Sequence, residues 1–353
     1  MSESTLLRRR RARRWRSPAL LIALGMLASM LAIGSGAIPA AAAGPGAMPA
    51  GVPTPTAFPP PAAGQCPAAT AGITGAPSGP ATVAMRPGPA GPMLVVGSGP
   101  NAGCSLYILT ADQPQASPPS YGCGAAGNCD TKIWPALLTN GRPMAGPGVN
   151  PRLLGMVART DVLTGMTVMQ VTYAGMPLYQ FSHDTAPGMI AGESIFDQFT
   201  SPPGVWYLVS ARQGAPLPGV ATLAMENVTF SGGASGSGVV LGALMPTDFG
   251  GARLFPVYTF SADPAHGTAC TGKCAVFWPP LLTQARPQAA TGVDARALGV
   301  IRRPDGSMQV TYDGRPLYLF IKDNGPTTAP GTASGVGAGA IFGGTGFNTV
   351  PAQ

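Results

Sequence analysis

The sequence predicts a mostly β protein made of two homologous small β-rich modules, each with hairpins and short helical turns. Three observations carry that expectation. The string Tyr-x-Phe-x-x-Asp occurs at Tyr179 to Asp184, Tyr258 to Asp263 and Tyr318 to Asp323, with a fourth copy at Tyr107 to Asp112 in which Leu109 takes the aromatic position. The lead-in Met169-Gln170-Val171-Thr172-Tyr173 returns as Met308-Gln309-Val310-Thr311-Tyr312. Runs of β-branched and aromatic residues alternate with Gly and Pro turn signals, the pattern of short strands. Self-similarity at long, fixed spacing marks duplicated structural units.

The N-terminus comes first. Arginines at 8 to 11, 13, 14 and 16 precede an apolar run from Ala19 to about Gly34 and small residues through Ala43. This reads as a secretory signal peptide over residues 1–43. Its apolar run is shorter than the roughly 20 residues a spanning helix needs, so cleavage is expected, with no transmembrane domain afterwards. The first 43 residues hold seven of the 21 basic residues and one of the 14 acidic ones, so the remainder carries 14 basic against 13 acidic residues. A near-neutral mature chain lacks the electrostatic footprint of a nucleic-acid binder.

Residues 44–91 follow as a Pro/Ala/Gly-rich spacer, a composition that favours extended backbone. The first module spans 92–230, a Gly/Ser linker 231–237, and the second module 238–353 with a Gly-rich tail. Within each module the motif appears in two kinds. The first kind, Tyr107 to Asp112 and Tyr258 to Asp263, is followed by two cysteines and Trp-Pro: Cys123, Cys129 and Trp134, then Cys270, Cys274 and Trp278. The second kind follows the repeated lead-in. Between them, Leu137-Leu138-Thr139 and Arg152 to Gly155 recur as Leu281-Leu282-Thr283 and Arg296 to Gly299 at one offset of 144 residues.

This ordered series, carried over roughly residues 92 to 345, resembles the bacterial secreted-repeat family, predicted lipoproteins with a conserved Tyr-x-aromatic-x-x-Asp motif. The resemblance implies an exported protein and brings no assigned activity. Two departures stand out: Leu109 in the first motif, and the lack of a lipobox cysteine after the leader.

Gln170 to Phe181 and Gln309 to Phe320 each read as a β-hairpin, the second turning at Asp313-Gly314, with Arg315-Pro316 lengthening the connection beyond two residues. Alternation puts Tyr318 and Phe320 on one face and Leu317 and Leu319 on the other, so both faces are apolar and burial on both sides is expected. An aspartate past the strand end fixes the exit loop by accepting backbone N–H bonds. The motif residues Tyr107, Asp112, Tyr179, Phe181, Asp184, Tyr258, Phe260, Asp263, Tyr318, Phe320 and Asp323 are thus expected to be core aromatics with a partnered hydroxyl and a turn aspartate. The alternative gathers the four aspartates and the tyrosines at one shared rim as oxygen ligands. Trp134 and Trp278 read as core plugs, and Asp294 as a cap for a short helical turn at 295–298.

Six cysteines in an exported chain read as disulfides. The repeat logic pairs Cys123 with Cys129 and Cys270 with Cys274, leaving Cys66 for Cys104. Two histidines, His183 and His266, have no counterparts across the repeats. Ser182, His183 and Asp184 are adjacent in sequence and cannot converge as a triad. No cofactor, metal or catalytic residue is expected. The reading is a non-enzymatic module of the periplasm or extracellular envelope with an unknown partner or surface, peripheral association with a membrane being compatible with it. A metal- or haem-linked electron-transfer accessory is the alternative.

Overall fold

The computed structural model describes residues 66, 78–117, 119–123, 133–160, 165–248, 250–325 and 328–351. The signal peptide, most of the spacer and Cys129 lie outside the described residues. Those described belong to one compact unit within Gly44–Gln353. Among them no helix is long and apolar enough to cross a membrane.

Module 1 holds β1 (Thr82–Gly88), β2 (Gly91–Val96), β3 (Tyr107–Leu109), β4 (Met144–Ala145), β5 (Leu154–Thr160), β6 (Thr167–Tyr173), β7 (Met176–Pro177), β8 (Phe196–Asp197), β9 (Gly204–Val209) and β10 (Pro216–Leu217). Module 2 holds β11 (Thr222–Phe230), β12 (Ser237–Pro246), β13 (Ala252–Pro256), β14 (Tyr258–Phe260), α1 (Lys273–Phe277), β15 (Gln288–Ala289), β16 (Leu298–Arg302), β17 (Met308–Tyr312), β18 (Arg315–Pro316), β19 (Thr332–Ala333) and β20 (Phe347–Thr349).

The pairings repeat. The β1–β2 hairpin with β4 parallel to β1 matches the β11–β12 hairpin with β15 parallel to β11. The β3–β9 pair matches β14–β20, and the β5–β6–β7 meander matches β16–β17–β18. This topology moves both expected module boundaries. Residues 231–237 are not an inter-module linker: they turn the β11–β12 hairpin, with Phe230 N–H bonded to Gly236 O at 2.9 Å. The second module therefore starts at β11, and the first starts at β1, inside the stretch expected to be spacer. Gly/Ser composition announces a chain reversal as readily as a linker, so composition alone misplaced the border.

Burial explains the strands. Gly204 to Val209 is buried at every position, as a run of Val, Trp, Tyr and Leu requires when both faces of a strand are covered. β5 instead alternates from Gly155 onward, with Met156 and Ala158 exposed and Val157 and Arg159 half-buried. The two lead-in hairpins turn through Ala174-Gly175 and Asp313-Gly314, whose φ values of 50°, 85°, 48° and 73° make two-residue type I′ turns. Tyr312 then pairs directly with Arg315, so Arg315-Pro316 is strand and does not lengthen the turn. Asp294 accepts the Arg296 N–H at 2.8 Å and caps a single turn closed by Ala297 N–H to Asp294 O at 3.1 Å, after which strand β16 begins at Leu298.

One apolar cluster runs through both modules, from Leu94 and Val171 to Phe255 and Val310. Two satellite clusters, one per module, hold the motif aromatics. The modules also meet through Phe196 and Phe255, ring centroids 5.0 Å apart, and through Asn324 Nδ2, which donates to Phe196 O at 2.6 Å.

Candidate functional site

Each motif ends in the same turn. The N–H of Asp112, Asp184, Asp263 and Asp323 bonds the carbonyl three residues earlier, that of Leu109, Phe181, Phe260 and Phe320. One carboxylate oxygen then accepts a backbone N–H farther along: Asp112 from Gly122, Asp184 from Ala191, Asp263 from Ala269 and Asp323 from Ser334, each at 2.8 Å.

The other oxygen reaches across to the opposite motif. Tyr107 donates to Asp184 at 2.7 Å and Tyr179 to Asp112 at 2.8 Å. In module 2, Tyr258 donates to Asp323 at 2.5 Å and Tyr318 to Asp263 at 2.9 Å. The backbones of the paired tyrosines exchange both hydrogen bonds, Tyr107 with Tyr179 at 2.9 and 3.0 Å, Tyr258 with Tyr318 at 2.9 Å twice. Each module therefore pairs its two motifs reciprocally, in the isologous manner of a two-fold interface.

Burial dominates the electrostatics. It pushes Asp184 up to about 7, and Asp112 and Asp323 up to about 6, although the tyrosine hydroxyls and backbone N–H groups pull the other way. Asp263 is raised by burial too. The four tyrosines are raised by burial first, and by their aspartates. The shared rim of four aspartates does not form: each carboxylate is engaged inside its own module.

The rings fill the space between the paired motifs. Trp134 stacks on Phe181 at 4.2 Å and meets Tyr107 edge-on at 5.4 Å; Trp278 stacks on Phe320 at 4.1 Å and meets Tyr258 edge-on at 5.3 Å. Both tryptophans are buried. Each stacks on a ring the motif pattern does not announce: Trp134 on Trp206 at 4.0 Å, Trp278 on Phe347 at 3.7 Å. Phe347 also stacks on Phe260 at 4.3 Å, while Leu109 fills the corresponding place in module 1. Trp206 and Phe347 sit on β9 and β20, opposite Leu109 and Phe260. Their signal was an aromatic in the strand that pairs with the first motif of each module, obscured because Trp and Phe differ.

An arginine supports each site from outside the motif. Arg159 Nη1 donates to Gln170 Oε1 at 2.6 Å and to the Tyr179 hydroxyl at 3.1 Å, and Nη2 donates to Cys123 O. Arg303 repeats this with Gln309 at 2.6 Å and Cys270 O at 2.9 Å. Gln170 and Gln309 pass the contact on to Leu178 O and Leu317 O at 2.9 and 2.8 Å. Arg159 and Arg303 stand at the same offset of 144 residues as Arg152 and Arg296, so the repeat itself carried their signal.

Cys66 is bonded to Cys104 and Cys270 to Cys274. Cys123 is also disulfide-bonded. Ser182 Oγ lies 3.4 Å from His183 Nδ1, but Asp184 is committed to Tyr107 and Ala191, so the three do not form a relay. His266 sits at a turn with φ 56°.

Residues 167–201 and 299–340 match the model of a family described as a secreted repeat of unknown function. The first match runs from β6 past the second motif of module 1, and the second from β16 past the second motif of module 2. No curated protein and no solved structure matches the chain. It is an exported repeat protein that carries the secreted repeat of unknown function once in each module.

Proposed function

We propose that this protein is a non-enzymatic binding module of the bacterial envelope, working in the periplasm or outside the cell. The observation that carries this reading is the saturation of the repeated motif. Each aspartate places one oxygen on a tyrosine hydroxyl and one on a backbone N–H, within the core for Asp112, Asp184 and Asp323 and half-buried for Asp263. Groups so committed stabilise a scaffold and leave recognition to surfaces outside the motif. The electron-transfer alternative is favoured by one feature, the close stacks Trp134–Trp206 and Trp278–Phe347.

An absorption spectrum with elemental analysis on the exported protein, purified without chelators, separates the two. A colourless, metal-free protein without free thiols supports the binding module. A stoichiometric metal or a haem band overturns it in favour of the redox reading.

A further inference from the structure

A cavity of about 240 Å³ lies where the modules meet. Its wall takes Glu193 and Tyr207 from module 1, Ala221 from the connection, and Leu244, Ala252 and Leu281 from module 2. Glu193 is the one charged residue in that wall. Its Oε2 accepts the Leu208 N–H at 2.6 Å, and its Oε1 accepts the Ser194 hydroxyl at 2.8 Å and the Gly219 N–H at 3.2 Å. These neutral donors orient the carboxylate without balancing its charge. Among the described residues no Lys, Arg or His forms an ion pair with it. The Tyr207 hydroxyl is buried as well, with the Leu282 backbone N–H beside it and no side-chain partner.

The repeat supplies a control. Ser194 N–H bonds Trp206 O in module 1, and Gly337 N–H bonds Phe347 O in module 2, which fixes the equivalence of the two loops. Val336 then stands at the place of Glu193, and Asn348 at that of Tyr207. Module 2 therefore builds the equivalent loop without either group, whereas in module 1 Glu193 also ties β9 to Gly219 beyond β10, a segment that has no counterpart in module 2. A buried carboxylate that lacks a counter-charge is costly, and a cation brought into contact with it offsets that cost.

We propose that the inter-module cavity binds a small organic ammonium with N–H donors, its charge on Glu193 and its apolar body against Leu244 and Leu281. The proposal rests on the binding-module reading and gives it a ligand class. An aromatic wall at Tyr207 suits a cation further.

Binding carries a pH signature. Burial raises the Glu193 carboxyl to about 8, so in the empty cavity it is mostly protonated at neutral pH, and ammonium binding releases that proton. The titratable groups that face it, Tyr107 and Tyr207, are raised far above neutrality and stay uncharged. Affinity for an alkylammonium therefore rises between about pH 6 and about pH 8, by at least about tenfold, because the competent carboxylate fraction rises.

The test is calorimetric titration of the purified exported protein with propylammonium chloride across that range, with propanol as the neutral isostere. Saturable one-site binding of the ammonium alone, tightening with pH and weakened at least about tenfold by Glu193→Gln and by the cavity-filling Ala252→Leu, is the expected result. Equal binding of propanol, binding that neither variant alters, or no saturation by about 10 mM at the upper pH overturns it. Should Glu193→Gln fail to fold, the wild-type pH profile and Ala252→Leu decide. A negative titration on a colourless, metal-free protein removes this ligand and leaves the binding-module reading standing; a metal or haem band removes the reading itself.

Discussion

The Tyr107 hydroxyl donates to Asp184, 77 residues away in the opposite motif, at 2.7 Å, while the aspartate of its own motif, Asp112, serves Tyr179. The motif is therefore half of a lock, and its six-residue spacing reflects two different partners. The aspartate must leave the strand to cap its own exit loop, and that excursion carries it toward the tyrosine across the pair.

Crossed coupling is the first expectation. Tyr107→Phe removes the donor to a buried carboxyl and should cost about 1.5–3 kcal/mol. A double-mutant cycle of Tyr107→Phe with Asp184→Asn should give a coupling energy above about 1 kcal/mol, and one with Asp112→Asn a clearly smaller value. Denaturant unfolding measures both, and larger coupling within the motif than across it would refute the lock.

Two glycines should tolerate no methyl group. A Cβ on Gly192 would lie 2.6 Å from Trp134 Cη2, and one on Gly335 2.6 Å from Trp278 Cη2. Gly192→Ala and Gly335→Ala should each lose about 1–3 kcal/mol by overpacking. Gly79, with open space around its Cβ position, serves as the control and should change little. Melting temperatures rank the three.

Stability should fall as pH rises. Asp184, Asp112 and Asp323 have folded-state values of about 7, 6 and 6, above the ordinary carboxyl value of 3.8. Between 3.8 and those values the folded chain binds more protons than the unfolded one, so unfolding releases protons and the folded state weakens with increasing pH. The window is about pH 4 to 7 for these groups, extending to about 8 through Glu193. Thermal melts should show a higher Tm near pH 5 than near pH 8, and Asp184→Asn should flatten that slope. A Tm that climbs over this range contradicts the assignment.

The disulfides should differ in worth. Cys66–Cys104 spans 38 residues and Cys270–Cys274 spans 4. Loop-closure entropy makes the first worth about 4 kcal/mol and the second about 2. Replacing each pair by serines and comparing unfolding midpoints checks the order; an equal or reversed loss would show that local packing outweighs chain entropy here.

Much of this molecule was legible before any coordinates. Duplication, β class, both lead-in hairpins, the exit-loop aspartates and the pairings Cys66–Cys104 and Cys270–Cys274 follow from residue identity and spacing, because each depends on local backbone chemistry or on comparison of one repeat with the other. The module borders were misplaced because Gly232 to Gly238 carries the composition of a linker while turning a hairpin. Trp206 and Phe347 escaped notice because equivalent positions hold different rings; Arg159 and Arg303 recur at the shared offset of 144 residues, but no local pattern says that an arginine there reaches Gln170 or Gln309.

The sequence by itself determined that the chain repeats, which residues recur and that short strands would carry them, since period-two patterning and turn chemistry act over a few residues. Only the tertiary structure decided which tyrosine meets which aspartate, that Trp206 and Phe347 complete the stacks, and that Glu193 and Tyr207 face a cavity between modules. Those relations join residues far apart in the chain, and they are selected by which faces must be buried together, a condition no local pattern encodes.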